Sequence, residues 1–185
     1  MVGRFKAVGF DMDGTFLRTH VDYDRLNNVD REVLARHGVP FDEIDFEGRA
    51  KRLRTPIRRW LEAIGGIRAK GLKVGILTRG SLQYAKRALG PAFDDFDAVM
   101  GRDYSFYDDA KPSPVAMVQF ASLLGVDPSE ILYVGDNISD WQSAVGAGAV
   151  FVGVLTGSCT EAEWLDADPD MIVVDRAGDV VELLR

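Results

Sequence analysis

Short runs of apolar residues recur along the chain and predict buried β-strands. They span residues 7–10, 74–77, 98–100, 131–134, 150–155 and 171–174. Successive positions in each run are apolar. A strand with one solvent-exposed face would instead alternate apolar and polar residues. Such runs are typical of parallel sheets covered by helices on both faces. The pattern therefore predicts an α/β fold with a parallel sheet.

Amphipathic segments of helical length lie between these runs and predict the covering helices. We expect helices over residues 57–70, 81–89 and 113–124, and a fourth from Ser139 to near Gly146 or Gly148.

Glycine and proline mark where the helices are expected to begin, end or bend. Thr55 followed by a proline has the form of an N-cap, and Gly90 and Gly125 follow the second and third helices. Gly65 and Gly66 lie inside the first helix, where glycine is unfavourable. We expect this pair to bend or break that helix.

One segment interrupts the alternation of strand and helix. Two polar, helix-like pieces separated by Gly38-Val39-Pro40 follow the first strand. A stretch of about 40 residues is too long for an ordinary connection between two elements. We therefore expect a core of residues 1–16 and 55–185, with a small helical cap at residues 17–54.

The amino-acid composition limits the size of the domain, its possible binding partners and its cellular compartment. The 185 residues are 46% hydrophobic, enough for one globular core, and the net charge is −7. A surface of that sign argues against general binding to nucleic acid or to an anionic membrane. No apolar stretch reaches the ~20 residues of a membrane span, and residues 1–6 do not resemble a signal peptide. The single cysteine, Cys159, favours a reducing, cytoplasmic setting.

Polar residues that can carry chemistry stand where the predicted strands end. They occur in the stretches Asp11-Met12-Asp13-Gly14-Thr15, Thr78-Arg79-Gly80, Lys111-Pro112 and Gly135-Asp136-Asn137-Ile138-Ser139-Asp140. Ligands of open parallel sheets collect at the carboxyl ends of the strands, so Asp11, Thr78 and Asp136 are expected to converge. Neighbouring carboxylates repel one another unless a cation joins them, and Mg²⁺ prefers such oxygen ligands.

The other residues of these stretches suit phosphoryl transfer. A carboxylate attacks phosphorus only when the charge on the phosphoryl oxygens is neutralised, which Mg²⁺ and Lys111 would do. Thr78 offers a hydroxyl donor, and Gly80 lets the backbone approach a phosphate closely. Asp13 lies two residues beyond Asp11, where it can protonate the leaving oxygen and later take a proton from water.

These four stretches resemble the four motifs of the haloacid dehalogenase-like superfamily of phosphatases. They follow the order of the family motifs, and the likeness covers nearly the whole chain. It implies a Rossmann-like three-layer αβα sandwich with a cap inserted after the first strand. The tail, with Gly153-Val154-Leu155-Thr156-Gly157, is similar to the phosphoglycolate phosphatase-like branch.

The resemblance also implies a role for each residue of a Mg²⁺-dependent phosphatase that hydrolyses a small phosphomonoester. Asp11 would be the nucleophile that forms an aspartyl-phosphate, and Asp13 the general acid and base. Mg²⁺ would be held by the Asp11 carboxylate, the Asp13 main-chain carbonyl and the Asp136 carboxylate. The residues that bind the phosphate would be Thr78, Arg79, Gly80 and Lys111, and those that surround the metal ligands would be Asp140 and Asn137.

Several alternatives stay open. A phosphotransferase or sugar-phosphate mutase would use the same intermediate, and a regulatory module would keep the fold without turnover. The module is disfavoured because Asp13, Lys111 and Asp136 are all present. A phosphonate hydrolase would need a lysine of the cap, where Lys51 is the only one. Haloacid dehalogenation is disfavoured by Asp13 and Asp136.

Basic side chains are concentrated in and beside the predicted cap. They are Arg49, Lys51, Arg52, Arg54, Arg58 and Arg59. Such a run either forms a solvated face or attracts an anionic substrate. His20 likewise lies either at the surface or against the leaving group. The sequence predicts neither the substrate nor the oligomeric state.

Overall fold

A parallel sheet forms the centre of the molecule. The computed structural model describes residues 4–17, 57–104 and 109–184, and within these ranges six strands form one sheet. They are β1 (Ala7–Phe10), β2 (Lys73–Leu77), β3 (Ala98–Met100), β4 (Ile131–Gly135), β5 (Val150–Val154) and β6 (Val173–Val174). Each strand coincides with one of the apolar runs, so the predicted parallel α/β fold is confirmed.

The order of the strands places the beginning of the chain in the middle of the sheet. The order is β3-β2-β1-β4-β5-β6, and all pairs are parallel. Phe10 at the end of β1 is level with Ile76 of β2 and Val134 of β4. The carboxyl ends of β2, β1 and β4 therefore lie side by side where the strand order reverses, which is where doubly wound sheets bind ligands.

Helices flank the strands, and the first four agree closely with the four predicted amphipathic segments, whereas the last two were not predicted. Those of the described residues are α1 (Ile57–Arg68), α2 (Leu82–Leu89), α3 (Pro114–Leu124), α4 (Ile138–Gly146), α5 (Glu161–Ala167) and α6 (Val180–Leu183). Gly90 and Gly125 end α2 and α3 with positive φ values of 55° and 66°. The predicted N-cap at Thr55 lies outside the described residues.

The sequence predicted that Gly65 and Gly66 would bend or break this helix; the break is wrong, because α1 continues through both residues as one helix, and the bend stays a prediction. A Cβ built on Gly66 would lie 3.2 Å from Val181 Cγ1, so the helix packs closely on the C-terminal segment. The next residue, Ile67, is fully buried. Packing of this face outweighs the roughly 1 kcal/mol that each glycine costs in a helix interior.

Apolar side chains fill both faces of the sheet and make the three-layer sandwich. One cluster includes Phe10, Ile76 and Val180, and a second includes Phe120 and Trp164. Every residue of β1 and of β4 is buried. Burying a large apolar side chain contributes about 1.5–3 kcal/mol, so these two strands hold the residues that follow them in fixed positions.

The cap predicted after β1 is almost entirely outside the described residues. Leu17, its first residue, is buried in the core, and its backbone forms an isolated bridge with Asp13. Residues 18–54 are not described, so the cap itself stays a prediction. Among the described residues, none of the helices has the length and apolar character that crossing a membrane requires.

Candidate active site

Polar side chains from three neighbouring strands meet at one edge of the sheet. Asp11 and Thr78 directly follow β1 and β2, and Asp136 directly follows β4. The N–H of Asp11 donates to Val134 O and that of Thr78 to Met100 O, each at 2.9 Å, so the strand pairing extends to these residues. All three side chains belong to the small set of buried polar residues. The structure thus brings together residues that are far apart in the sequence.

Lys111 is the buried cation at this edge. Its Nζ donates to Asp11 Oδ1 at 2.6 Å and to Asp140 Oδ1 at 2.5 Å. It also lies 3.0 Å from both Leu77 O and Tyr133 Oη. Lys111 is only 3% exposed. Because a buried charge is stable only when it is paired, these acceptors fix the ammonium group between two carboxylates.

The electrostatic environment raises the pKa of Lys111 and also the pKa values of its two carboxyl partners, Asp11 and Asp140. Burial raises the pKa of Asp11 and of Asp140, and Lys111 opposes that rise. Asp136 raises the pKa of both further. Burial by itself would lower the pKa of Lys111, but the adjacent carboxylates outweigh it, so its pKa lies well above the usual value. Lys111 alone therefore does not return the pKa of either carboxyl group to its usual range.

Three of the carboxylates are close enough to hold a metal ion. Asp11, Asp136 and Asp140 each offer an oxygen, and these oxygens lie within 4.8 Å of one another. If all three were ionised, their negative charge would exceed the single positive charge of Lys111, so a further cation would stabilise the ionised cluster. Ligands that are all oxygen suit a hard divalent cation. This cluster is therefore a candidate metal centre.

Hydrogen bonds from two loops hold the Asp136 carboxylate. Thr15 Oγ1 donates to its Oδ1 at 2.9 Å, and the Ser158 N–H donates to its Oδ2 at 2.8 Å. The loop after β5 approaches so closely that a Cβ built on Gly157 would collide with this carboxylate. Asp136 therefore has both oxygens hydrogen-bonded and one side covered by backbone.

The sharp turn after β1 depends on Gly14. Its φ of +84° is unfavourable for other residues, and a Cβ there would also collide with the Asp136 carboxylate. Thr156 Oγ1 donates to Gly14 O at 2.7 Å, which ties this turn to the loop after β5. The turn is thus fixed by both its conformation and its neighbours.

Asp13 lies beside the cluster and has a different partner. Tyr84 Oη donates to Asp13 Oδ1 at 2.7 Å. Burial raises the pKa of Asp13 to about 7; the hydrogen bond from Tyr84 acts against that rise, whereas the negative charge of Asp136 adds to it. A carboxyl group with a pKa near neutrality can both donate and accept a proton. Asp13 therefore has the properties of a general acid and base.

The loop after β2 is predicted to bind phosphate. Thr78 Oγ1 accepts a hydrogen bond from the Gly80 N–H at 3.0 Å, and Arg79 between them is half-buried. A Cβ built on Gly80 would lie 2.6 Å from Tyr84 Cδ1, so this glycine makes room for an aromatic ring. That is a structural reason for glycine besides the expected close approach of a phosphate. The phosphate contacts of this loop stay predictions.

Asn137 and Asp140 cap the helix that leads out of the site. Asn137 Oδ1 accepts from the Ser139 N–H at 3.0 Å, and the Asn137 N–H donates to Asp140 Oδ2 at 3.2 Å. This capping box begins α4. Asp140 does more than surround the predicted metal ligands, because its other oxygen contacts Lys111 directly.

Two tyrosines of the site have no signal in the sequence. Tyr84 is an aromatic residue at helical spacing, and Tyr133 lies inside a fully apolar strand, so both resemble ordinary core residues. In the structure Tyr84 contacts Asp13, while Tyr133 Oη donates to Leu77 O at 2.9 Å and accepts from Lys111. Only the three-dimensional arrangement identifies them.

Comparison with known proteins identifies the family. A family model described as haloacid dehalogenase-like hydrolase matches residues 21–148, which is 128 of the 185 residues. The chain belongs to the haloacid dehalogenase-like hydrolase family. This confirms the family and the hydrolase class that the four motifs predict.

Several named proteins are similar to this family member. The N-acetylmuramic acid 6-phosphate phosphatase of Pseudomonas aeruginosa is 27% identical, over 98% of this chain and 95% of that protein. The phosphoglycolate phosphatase of Escherichia coli is 33% identical, over 60% of this chain and 44% of that protein. The latter match thus spans less than half of the relative.

A solved structure supports the fold. A protein from Haemophilus somnus, described as a predicted phosphoglycolate phosphatase, superimposes with a TM-score of 0.69 at 19% identity. The superposition covers 98% of this chain and 99% of the other. At that identity the similarity confirms the Rossmann-like α/β fold and carries no information on substrate.

Proposed function

We propose that this haloacid dehalogenase-like hydrolase is a Mg²⁺-dependent phosphatase that hydrolyses a small phosphomonoester, with Asp11 as the nucleophile. The observation that carries the proposal is the position of Asp11, whose carboxylate contacts Lys111 inside the cluster formed with Asp136 and Asp140. A carboxylate attacks a phosphate dianion only where positive charge offsets their repulsion. Lys111 provides one positive charge here, and the three carboxylates offer a binding place for a metal ion that would provide another.

The residues that would hold Mg²⁺ are the Asp11 and Asp136 carboxylates and the Asp13 main-chain carbonyl. Bound there, the ion would supply positive charge to the phosphoryl oxygens. Lys111 supplies positive charge from the protein itself, and its buried contacts keep it in place. The hydrogen bonds from Thr15 and Ser158 hold Asp136 in position.

The reaction takes two displacements at phosphorus. In the first, the Asp11 carboxylate forms a bond to phosphorus, the bond to the leaving oxygen breaks, and Asp13 gives its proton to that oxygen. In the second, water attacks the aspartyl-phosphate, Asp13 takes a proton from the water, and the bond to Asp11 breaks to release inorganic phosphate. A pKa of about 7 suits Asp13 to both proton transfers.

The substrate is proposed to be a phosphorylated small molecule. Support comes from the names of the relatives, one an N-acetylmuramic acid 6-phosphate phosphatase and the other a phosphoglycolate phosphatase. The first match extends over 98% of this chain, against 60% for the second. N-acetylmuramic acid 6-phosphate is therefore the first compound to assay, followed by 2-phosphoglycolate and other alkyl phosphates.

Transfer of the phosphoryl group to a second hydroxyl is the alternative that uses the same residues. The two outcomes differ in product: hydrolysis releases one inorganic phosphate for each ester cleaved, whereas transfer yields a new phosphate ester. Phosphate release and ester consumption, measured in the same sample, decide between phosphatase and transferase or mutase.

Removal of divalent metal is expected to abolish most of the activity. Treatment with EDTA should lower the hydrolysis of 4-nitrophenyl phosphate by at least about 100-fold, because the metal contributes several kcal/mol to the stabilisation of the transition state. Addition of excess Mg²⁺ should restore the rate. Full activity in metal-free protein, checked by elemental analysis, would contradict the proposed metal dependence.

Substitution of Gly157 by alanine is expected to weaken Mg²⁺ binding by about 10-fold or more, as changes around metal ligands commonly do. A Cβ there would collide with the Asp136 carboxylate, which its two hydrogen bonds prevent from moving freely. The measurement is the Mg²⁺ concentration that gives half of the maximal thermal stabilisation, with half-maximal activity as a second readout.

Gly65→Ala is the matched control for Gly157→Ala. Gly65 lies in α1, and a Cβ there would meet no atom within 4 Å. Alanine should therefore leave Mg²⁺ binding unchanged and stabilise the helix slightly. Equal Mg²⁺ affinities for the two variants would show that the loop after β5 does not support the metal centre.

A further inference from the structure

A buried tyrosine, Tyr84, donates a hydrogen bond to Asp13, the predicted acid and base. Tyr84 Oη donates to Asp13 Oδ1 at 2.7 Å, joining the turn after β1 to the first turn of α2. Among the described residues, Tyr84 is the hydrogen-bond donor to the Asp13 carboxylate. Lys111, by contrast, is directed to Asp11 and Asp140.

The position of the Tyr84 ring is fixed by its surroundings. Ser81 is the N-cap of α2, and its Oγ accepts from the Tyr84 N–H at 3.1 Å. The side chain is buried, with 6% of Tyr84 exposed. Gly80 leaves space for the ring, because a Cβ there would lie 2.6 Å from Tyr84 Cδ1. The hydroxyl group is thus held by a cap, a glycine and burial.

Hydrogen bonds of the turn fix the backbone around Asp13. The bond from Tyr84 therefore acts on the orientation of the Asp13 carboxyl group. The Gly14 N–H donates to Leu17 O at 2.8 Å, and the Leu17 N–H donates to Met12 O at 2.7 Å. These bonds close the turn around Asp13. Rotation of the side chain is the freedom that the turn leaves, and the bond from Tyr84 restricts it.

We propose that Tyr84 is a positioning residue that orients Asp13 for proton transfer to the leaving group. Because Oδ1 is held by the tyrosine, Oδ2 is the oxygen that carries the proton to the leaving oxygen and later accepts one from water. The inference rests on the proposed phosphatase function. The importance of Tyr84 should then grow with the need of the leaving group for a proton.

The test compares two kinds of leaving group in the wild-type protein and in Tyr84→Phe, with saturating Mg²⁺. One substrate is 4-nitrophenyl phosphate, whose phenolate leaves as a stabilised anion. The other is whichever of N-acetylmuramic acid 6-phosphate, 2-phosphoglycolate and other alkyl phosphates the wild type hydrolyses fastest, because its alkoxide must be protonated. The measured quantity is kcat/KM, which reports the steps up to departure of the leaving group.

A selective loss is the expected result. Tyr84→Phe should lower kcat/KM about 10-fold for the alkyl ester, a fraction of the 10²–10⁴-fold that general acid catalysis contributes. The loss for the aryl ester should be below about 2-fold. In an Asp13→Asn background no acid is left to orient, so the roughly 10-fold effect of Tyr84→Phe on kcat/KM for the alkyl ester should fall below about 2-fold.

Two other tyrosines provide matched controls. Tyr133→Phe removes a buried hydroxyl that contacts Lys111 and Leu77 O, so its effect should be the same for both esters. Tyr104 is 57% exposed, and Tyr104→Phe should change neither. Both controls remove one oxygen and keep the ring, as Tyr84→Phe does.

The outcomes separate this inference from the function on which it rests. Equal losses for the two esters in Tyr84→Phe, or no loss for either, would overturn the positioning role. So would a wild type that hydrolyses the aryl ester and no alkyl ester, since no leaving group would then need the acid. A wild type that hydrolyses no phosphomonoester would instead contradict the proposed phosphatase.

Discussion

Replacement of Asp11 by asparagine is expected to lower kcat by about 10⁴-fold or more, because an amide cannot replace the nucleophilic carboxylate. The two side chains have nearly the same shape, so the buried pocket should stay filled. Lys111 would still contact Asp140 Oδ1, Leu77 O and Tyr133 Oη. Hydrolysis of 4-nitrophenyl phosphate measures the loss, and circular dichroism with thermal unfolding measures the fold.

Asp94→Asn is the control for Asp11→Asn, because it makes the same chemical change at an exposed aspartate outside the site. Its activity and stability should equal those of the wild type. A folded Asp11→Asn protein that keeps more than about 1% of the wild-type rate would contradict the nucleophilic role of Asp11.

Replacement of Lys111 by methionine is expected to cause the largest loss of stability. It would leave two buried carboxylates without their cation, and breaking a buried ion pair in this way costs about 3–5 kcal/mol. Equilibrium unfolding in urea with EDTA present, at about pH 8, measures the free energy of unfolding. The lost positive charge should also abolish most of the turnover.

The stability lost in Lys111→Met should shrink as the pH is lowered. Burial already raises the pKa of Asp11 and of Asp140, and removal of the lysine that opposes the rise would raise both further. Groups whose pKa is higher in the folded state stabilise it at low pH and lose that effect as the pH rises. The variant should therefore approach the wild type as the pH falls toward the ordinary carboxyl pKa of about 4.

Two variants test the cause of that loss. Lys6 and Glu130 are 2.6 Å apart, as Lys111 and Asp11 are, but the Lys6 side chain is 66% exposed. Lys6→Met should therefore destabilise the protein far less than Lys111→Met does. Lys111→Met combined with Asp140→Asn removes one of the two carboxylates and should recover part of the stability. A loss that is as large at low pH as at high pH would show that packing, not charge, is responsible.

The fold could be predicted from the sequence because each strand contains a run of apolar residues without polar interruptions. The run at residues 131–134 corresponds to β4 (Ile131–Gly135), which is buried throughout. Since strand ends of a parallel sheet share one edge, the positions of Asp11 directly after one apolar run and of Asp136 within two residues of another were enough to place them together. Local signals such as Gly125 at the end of α3 reflect conformations that depend on few neighbours.

The rest depends on contacts between distant segments. Gly65 and Gly66 favour a break locally, but packing against Val181 keeps α1 continuous. Tyr84 lies 71 residues from Asp13, and a pattern of apolar positions cannot distinguish a tyrosine that fills the core from one that contacts a catalytic carboxylate. Such partners become visible only once the strand order is known.

Because β1 is a central strand, both of its edges cannot be paired until late in translation. β1 (Ala7–Phe10) is synthesised before the other strands of the sheet, yet it pairs with β2 (Lys73–Leu77) and with β4 (Ile131–Gly135). Its second neighbour is absent until translation has passed Gly135. A nascent chain arrested before that point would expose an unpaired, fully apolar strand edge, which invites aggregation or chaperone capture. Synthesis of β4 is thus the step at which this strand gains its last partner.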